Sequence, residues 1–403
     1  MPKPTTEIIA IGDELSTGQR LDTNSQWLSH QLTNMGLYVQ YHSTVADNVN
    51  AIANIVRTAS KRSKFIVVTG GLGPTADDLT RIALAQAVDQ PLVENKAALQ
   101  HIVSLFRRRG REMAPNNRMQ AMFPKTATVI HNEEGTAPGI DITVASHDHK
   151  PRVFCLPGVP AEMKLMFYSH IKPAIQQDIP GTPQITQHYV LKTFGTGESN
   201  LEHRLPEFFK RDRRPVVGIT ASDATITLRF QVTADTAEAC DALAQPTLDE
   251  LVDKLGDVVF ANHEVKLGHK VCQRLSENGE SVATWECATR GQLAVMLHAP
   301  LHPALVASRY TLGTDELYFS EELLANKASE FRKENNATYA IVVGPVRSPS
   351  QSGATVPQFD VAIAYETGSN VQTHDFTGHP DILFAKAAKQ AINQLRLHIQ
   401  NTE

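Results

Sequence analysis

The 403-residue sequence has only four cysteines, Cys155, Cys240, Cys272 and Cys287, and none forms a CxxC pair. That scatter excludes a zinc knuckle or a disulfide framework as the basis of the fold. Long apolar runs are also missing, and none approaches the roughly 18 to 20 residues of a membrane span. Met1-Pro2-Lys3-Pro4-Thr5-Thr6 leads into a strand-like run without a signal-peptide core, so no membrane is expected and a cytoplasmic location is. There is no basic excess either: 38 Lys and Arg face 43 Asp and Glu, a net charge of −5. A chain built to neutralise many duplex phosphates is thereby excluded, although a local basic patch is not. Apolar residues at 41% and charged residues at 20% make an ordinary globular composition. At roughly 150 residues per domain, two or three domains are expected, each able to bury a core.

Strand and helix patterns alternate from the start. Glu7-Ile8-Ile9-Ala10-Ile11-Gly12 reads as a buried strand, residues 24–35 as a helix stopped by Gly36, and 38–45 as a second strand. Residues 49–59 are helical, 64–69 form a third strand and 79–88 another helix. This alternation predicts a parallel sheet covered on both faces. Arg152-Val153-Phe154-Cys155-Leu156 adds a strand before a helix at 161–170, and Ile179-Pro180-Gly181-Thr182-Pro183 reads as a linker. Beyond it, strands at 188–194 and 225–232 with helices at 199–209 and 234–255 predict a small α+β module. A third segment begins near Glu264, with a helix at 267–278, strands at 281–285, 339–343 and 360–365, and a last helix at 381–399. Residues 345–357 are expected to form a mobile loop.

The stretch richest in chemistry is Thr69-Gly70-Gly71-Leu72-Gly73-Pro74-Thr75-Ala76-Asp77-Asp78, between a buried strand and a helix. Three glycines in four positions allow positive φ and let backbone N–H groups approach an anion, and the helix start adds partial positive charge. Thr75 or Asp77 is the expected N-cap. Two acids after such a loop make electrostatic sense if a dication bridges them to a phosphate, and Mg²⁺ is the usual choice. A plain glycine turn with acidic capping is the simpler alternative. The loop is neither a Walker A nor a GxGxxG sequence. Asp13 after the first strand and Asp47 after the second would converge with Asp78 on one crevice of a doubly wound sheet.

Ile11-Gly12-Asp13-Glu14-Leu15, Asp22-Thr23-Asn24-Ser25, the glycine loop with Asp77-Asp78-Leu79-Thr80, Gly135-Thr136-Ala137-Pro138-Gly139 and Leu156-Pro157-Gly158-Val159-Pro160-Ala161-Glu162-Met163 run in that order. Together they resemble the competence/damage-inducible CinA family over roughly the first 170 residues. The resemblance implies an α/β protein of three parts. These are a molybdopterin-binding-like (MoCF) α/β/α domain at 1–178, a small α+β KH-like domain at 179–262, and a CinA-type α/β domain at 263–403. It further implies that the first domain is a metal-dependent ADP-ribose pyrophosphatase working as a homodimer, with a divalent ion (Mg²⁺, Mn²⁺ or Co²⁺) and a monovalent cation as a further candidate.

Cleaving a diphosphate requires charge neutralisation on the phosphoryl oxygens and an activated water. Asp78, with Asp77 or Asp47, is the expected metal and catalytic group; Gly70, Gly71, Leu72 and Gly73 would hold the phosphate. Gly12, Asp13, Glu14, Asn24, Thr69, Pro74 and Thr75 complete the expected binding set, while Pro157, Gly158, Pro160 and Glu162 would close over base or ribose. Arg107-Arg108-Arg109-Gly110-Arg111 reads as a solvated helix end or a phosphate clamp from a dimer partner. Nucleic acid is not the expected partner, because aromatics to stack bases are missing around that run and no basic GxxG loop occurs in the middle module.

The third domain resembles the family's nicotinamide mononucleotide deamidases, whose nucleophile loop reads Glu-Ser-Cys-Thr-Gly-Gly. Here the matching residues are Glu286-Cys287-Ala288-Thr289-Arg290-Gly291, so Cys287 replaces the serine and Arg290 a glycine. Tyr310 stands near the family's tyrosine, but no lysine occurs from Ala299 to Asn326. An inert cysteine and a lost deamidase are expected. Two alternatives remain open: a non-catalytic nucleotide or molybdopterin sensor, and a deamidase working through Cys287.

Overall fold

The computed structural model describes residues 4–144, 150–179, 184–311 and 319–402. Pro180 to Pro183 of the predicted linker lie outside them. The chain divides into two compact units, Met1–Gln187 with Thr233–Cys240, and His188–Val232 with Asp241–Glu403.

The first unit is built on a six-stranded sheet in the order Tyr38–Val45, Thr5–Ile11, Phe65–Thr69, Arg152–Leu156, Gly139–Thr143 and Thr128–Ile130. The first four strands are parallel, as the alternating pattern predicts, and the last two pairings are antiparallel, Gly139–Thr143 being the reversed strand. The antiparallel pair escaped the sequence reading because strands of three and five residues carry almost no periodic signal. Period-two alternation divides the apolar side chains between two cores. Ile9, Ile11, Ile66 and Val68 meet Ile52, Val56, Leu84 and Ile102 on one face. Ile8, Phe65, Val67 and Phe154 meet Leu28, Leu32, Met163 and Phe167 on the other. Chain order reverses between the Thr5–Ile11 and Phe65–Thr69 strands, which opens a crevice beyond their carboxyl ends.

Helix boundaries mostly follow the predicted ones, at Thr23–Asn34, Val49–Arg62 and Thr80–Ala87. Asp22 and Asn48 cap the first two through the N–H groups of Ser25 and Ala51. The helix expected at 161–170 instead runs Pro160–Met166, passes through a π-helical turn at Phe167–Ile171, and continues as Lys172–Asp178.

At the opposite end of the sheet Asp141 is buried and accepts hydrogen bonds from Arg152 Nε at 2.8 Å, Arg152 Nη2 at 2.6 Å and His170 Nε2 at 2.8 Å. Burial alone would raise this carboxyl, but the Arg152 and His170 bonds together hold it below its ordinary value. A depressed folded-state value means the stabilisation is complete above the unfolded value of 3.8 and is lost as pH falls through the folded one. Urea midpoints of the wild type should therefore drop in acid. In Asp141→Asn the neutral-pH midpoint should already be low, because Arg152 loses its buried partner, and the acid-dependent part of the drop should shrink.

The second unit holds two sheets. The strands of one, which lies mostly within this unit, run in the order Gly218–Ser222, Thr225–Ala234, Ile185–Thr193, Val259–Ala261, and its two outer pairs are antiparallel. The other runs Leu305–Tyr310, Val282–Glu286, Tyr339–Val343, Gln358–Tyr365, Gly368–Asp375, with the first three parallel and the last two antiparallel. The helices Leu267–Glu277, Gln292–Leu297 and Leu383–Thr402 cover one face of the latter, and Glu321–Glu334 covers the other. Phe194 and Phe260 of the middle module join the first of these cores. Lys389 ties to Thr225 Oγ1 at 3.0 Å, so the middle and last modules form one packed body. Within the expected loop lies a short helix, Pro349–Ser352, and Arg347 forms a bridge with Gln358.

Candidate functional site

A cleft of about 590 Å³ opens at the carboxyl edge of the N-terminal sheet, within the size range of small-molecule sites. Gly12, Glu14 and Asn24 line it from the first strand and the helix that follows, and Asp47 from the second strand. Its floor is Thr69, Gly70, Gly71, Leu72, Gly73 and Pro74, with Asp77 and Asp78 beside them. Pro157, Gly158, Pro160 and Glu162 form the remaining wall. The fold thus gathers sixteen of the expected residues around one space. Asp13 and Thr75 are not in the lining and act on residues that are.

The glycine loop is held from behind by its carbonyls. Thr80 Oγ1 donates to Gly70 O at 2.8 Å, Thr80 N to Gly71 O at 3.1 Å, and Arg81 Nη1 to Leu72 O at 2.6 Å. In a trans peptide the N–H points opposite to the preceding C=O. Anchoring three successive carbonyls therefore turns the N–H groups of Gly71, Leu72 and Gly73 away from the anchors. Among the described residues those three N–H groups have no acceptor. Gly70 at φ 107° and Gly71 at φ 65° supply the left-handed backbone this requires. Converging unpaired amides of this kind form a concave anion site.

The acids are arranged unequally. Asp78 Oδ2 accepts from Thr75 N at 2.8 Å and also from the Thr75 hydroxyl, and its carboxylate is pressed against Gly73. The expected capping is thus corrected. The helix starts only at Thr80, Leu79 stands at its N-cap without a side-chain bond, and Thr75 is spent on Asp78. Asp13 and Asp47 clasp each other, Asp13 N donating to Asp47 Oδ2 at 2.9 Å and Asp47 N to Asp13 Oδ1 at 3.0 Å. Burial, then the like charges of Asp13, Asp77 and Glu14, raise the Asp47 carboxyl above its ordinary value despite the Asp13 bond.

A dication would relieve this crowding of carboxylates. Among the described residues no three His, Cys, Asp or Glu side chains converge as a complete metal cage. A hard ion such as Mg²⁺ needs only one or two carboxylates when phosphate oxygens and water fill its remaining positions. Asp47, Asp77 and Asp78 are the aspartates that line the cleft.

Residues 7–177 match the family model described as "Probable molybdopterin binding domain", and residues 188–261 match "Damage-inducible protein CinA KH domain". A competence-damage inducible protein of Oceanobacillus iheyensis is 37% identical over 291 residues, 72% of this chain and 69% of that protein. Its Bacillus subtilis counterpart is 35% identical over 286 residues, 71% and 67% of the two chains. This chain belongs to the CinA family. Among solved structures, protein CinA of unknown function from Thermoplasma acidophilum is 30% identical, with a TM-score of 0.39, and covers 42% of this chain and 98% of its own.

The cleft also uses Asn132 and Arg81, which sequence reading of this CinA chain missed, and the expected Asn24 ties two of its walls. Asn132 Nδ2 donates to Glu162 Oε2 at 2.7 Å and to Ala137 O at 2.9 Å, which fixes the Glu162 carboxylate against Gly135. Asn24 Nδ2 reaches Thr69 Oγ1 at 3.2 Å and Gly158 O at 2.9 Å, joining two walls. Arg81 is buried, and that burial pulls it down to about 10 against the charge of Asp78. Arg107 to Arg111 lie exposed at a helix end outside the cleft lining, where Arg109 donates to Glu134 O at 2.8 Å.

In the C-terminal domain Cys287 follows the Val282–Glu286 strand and is buried, its N–H donating to Val343 O at 3.0 Å. Burial pushes its thiol up to about 11, partly offset by the charge of Lys327. That lysine comes from the helix Glu321–Glu334, just past the stretch searched for one, and its ammonium lies 5.0 Å from the Trp285 ring. Tyr310 pairs in register with Glu286. Arg290 holds φ 51° and lays its guanidinium 4.3 Å from the Phe384 ring centre. The Glu286 carboxylate accepts from Thr289 Oγ1, Leu293 N and Ala294 N, so the chain's own acid occupies the following helix start. Beside Gly344, Arg347 and Asp360 form an ion pair 2.6 Å apart.

Proposed function

We propose that the N-terminal domain of this CinA-family chain hydrolyses the diphosphate bond of ADP-ribose, or of a closely related nucleotide, with a divalent cation. One observation carries the reading: three unpaired amides, fixed from behind, share a nucleotide-sized cleft with Asp47, Asp77 and Asp78, and the Asp78 carboxylate lies against Gly73 beside them. Amides fixed before the reaction bind a phosphoryl group without reorganising, which is where an enzyme gains most against developing charge. The ion, when bound, supplies charge neutralisation and an acidified water. The chain supplies the rest. Gly71, Leu72 and Gly73 orient one phosphate, and Asp78 is held rigid by Thr75. Strand order places Glu162 on the other side of the loop from Asp47, where its carboxylate can accept from ribose hydroxyls or an exocyclic amine. Addition of water across the P–O–P bridge yields AMP and ribose 5-phosphate.

The test is to incubate the full chain with ADP-ribose and Mg²⁺, Mn²⁺ or Co²⁺, with and without K⁺, and to follow AMP. Metal-dependent AMP supports the reading. No AMP with any ion, together with saturable binding of a pterin phosphate, sinks it in favour of a binding module, the reading that the name of the matching N-terminal family favours.

For the C-terminal domain we infer a silent deamidase. The buried Cys287 with its raised thiol supports this, since the thiolate is the nucleophile. Nicotinamide mononucleotide should release no ammonia above the blank, and Cys287→Ala should leave AMP formation unchanged. Ammonia release abolished by that substitution would restore the deamidase, with Lys327 as its nearest cation.

A further inference from the structure

We propose that Arg81 is a positioning residue for an oxyanion bound over the glycine loop: it fixes the Leu72–Gly73 peptide with its N–H toward the cleft and sets a positive charge behind it. The inference rests on the reading that a phosphate occupies the loop, but not on that phosphate being hydrolysed.

Arg81 stands in the first turn of the helix Thr80–Ala87 and is 3% exposed. Nη1 donates to Leu72 O at 2.6 Å and Nη2 to Pro138 O at 3.0 Å, while Nε is buried with no partner. The one side chain therefore joins the loop after the third strand to the Pro138 segment that leads into Gly139–Thr143. Gln120 Nε2 approaches the same Leu72 carbonyl at 3.5 Å, too long to hold it alone. Both peptide partners of the guanidinium are neutral, and the acid whose charge it feels is Asp78. A buried guanidinium with no carboxylate against it adds less stability than an apolar side chain of similar volume would. Its charge is instead available to something that arrives. In a site screened from water, a fixed cation behind three amides attracts an oxyanion far more than a surface arginine does.

The probe is inorganic pyrophosphate at a fixed excess of Mg²⁺, titrated calorimetrically into the full chain and its variants. Arg81→Gln removes the charge and one of the two tethers, and its Kd should rise roughly 10- to 100-fold. Arg81→Lys keeps the charge but can reach only one carbonyl at a time, so it should recover part of that loss. A purely structural arginine predicts equal affinities once both variants are shown folded by circular dichroism. Should Arg81→Gln fail to fold, the wild type decides: with ¹⁵N-glycine labelling, pyrophosphate should shift the amide signals of Gly71 and Gly73. Binding that leaves those signals in place, native affinity in folded Arg81→Gln, or no binding by the wild type overturns the proposal. Pyrophosphate binding as described, without AMP from ADP-ribose, removes the hydrolase and keeps Arg81.

Discussion

Asp78→Ala should reduce AMP formation from ADP-ribose by roughly 10³-fold or more, the scale expected when a dication loses its principal protein ligand beside a transferring phosphoryl group. Asp78 is singled out over its neighbour by how it is held. Its Oδ2 is fixed by Thr75 N at 2.8 Å and by the Thr75 hydroxyl, and the carboxylate lies against Gly73, beside the unpaired amides. Asp77 is exposed, so its side chain would have to be ordered to take part in holding the proposed ion. Asp77→Ala should therefore cost much less, about tenfold. Asp78→Asn separates charge from geometry, since an amide oxygen can still accept from Thr75 N while it no longer draws a dication. If Asp78→Asn is as inactive as Asp78→Ala but melts closer to the wild type, the residue acts by its charge. A rate near wild type in either Asp78 variant would remove the aspartate from the metal site.

The parts of this site that were legible in the sequence are those written within a few consecutive residues. A buried run ending in Thr69-Gly70-Gly71-Leu72-Gly73 can only leave a sheet tightly, and the acids that follow mark it as more than a turn. What the sequence hid depends on partners far along the chain. Arg81 looks like an ordinary polar helix residue until Pro138, 57 positions away, meets its guanidinium. Asn132 sits in an unremarkable loop, and only the fold brings Glu162 to it from 30 positions on. Asp13 and Asp47 were both expected to face a ligand, yet their mutual clasp across 34 positions spends one of them on holding the other. The wrong N-cap has the same origin in miniature: Thr75 could accept from a helix-end N–H or donate to an aspartate three residues on, and propensity alone does not choose between them. Lys327 reached the Cys287 neighbourhood from a helix, where alignment to a strand-end pattern does not look.

Gly70→Ala should have the largest effect on stability of any single methyl addition around the cleft. Two separate terms act there. Gly70 has φ 107°, a conformation that costs an L-residue about 1 to 2 kcal/mol. A Cβ at that position would also lie 2.2 Å from the Ile11 carbonyl oxygen, which belongs to the neighbouring strand and is backbone. Gly70 cannot move off it cheaply, because its N–H donates to Leu156 O at 3.0 Å on one side and its carbonyl accepts from Thr80 on the other. Relief means parting the strand ends at the switch point, an overpacking cost of about 1 to 3 kcal/mol. Together these give roughly 2 to 5 kcal/mol, or about 5 to 20 °C in Tm for a unit of this size. Gly18→Ala is the control: Gly18 has φ 75° but nothing within 4 Å of its would-be Cβ, so it isolates the backbone term. Gly70→Ala should melt well below Gly18→Ala, and because the shift displaces the Gly71 amide, it should also lose pyrophosphate binding at temperatures where it is still folded. Equal melting temperatures in the two variants would show that the two strand ends can part freely, and that the amide cradle is not held by the close approach of Gly70 to Ile11.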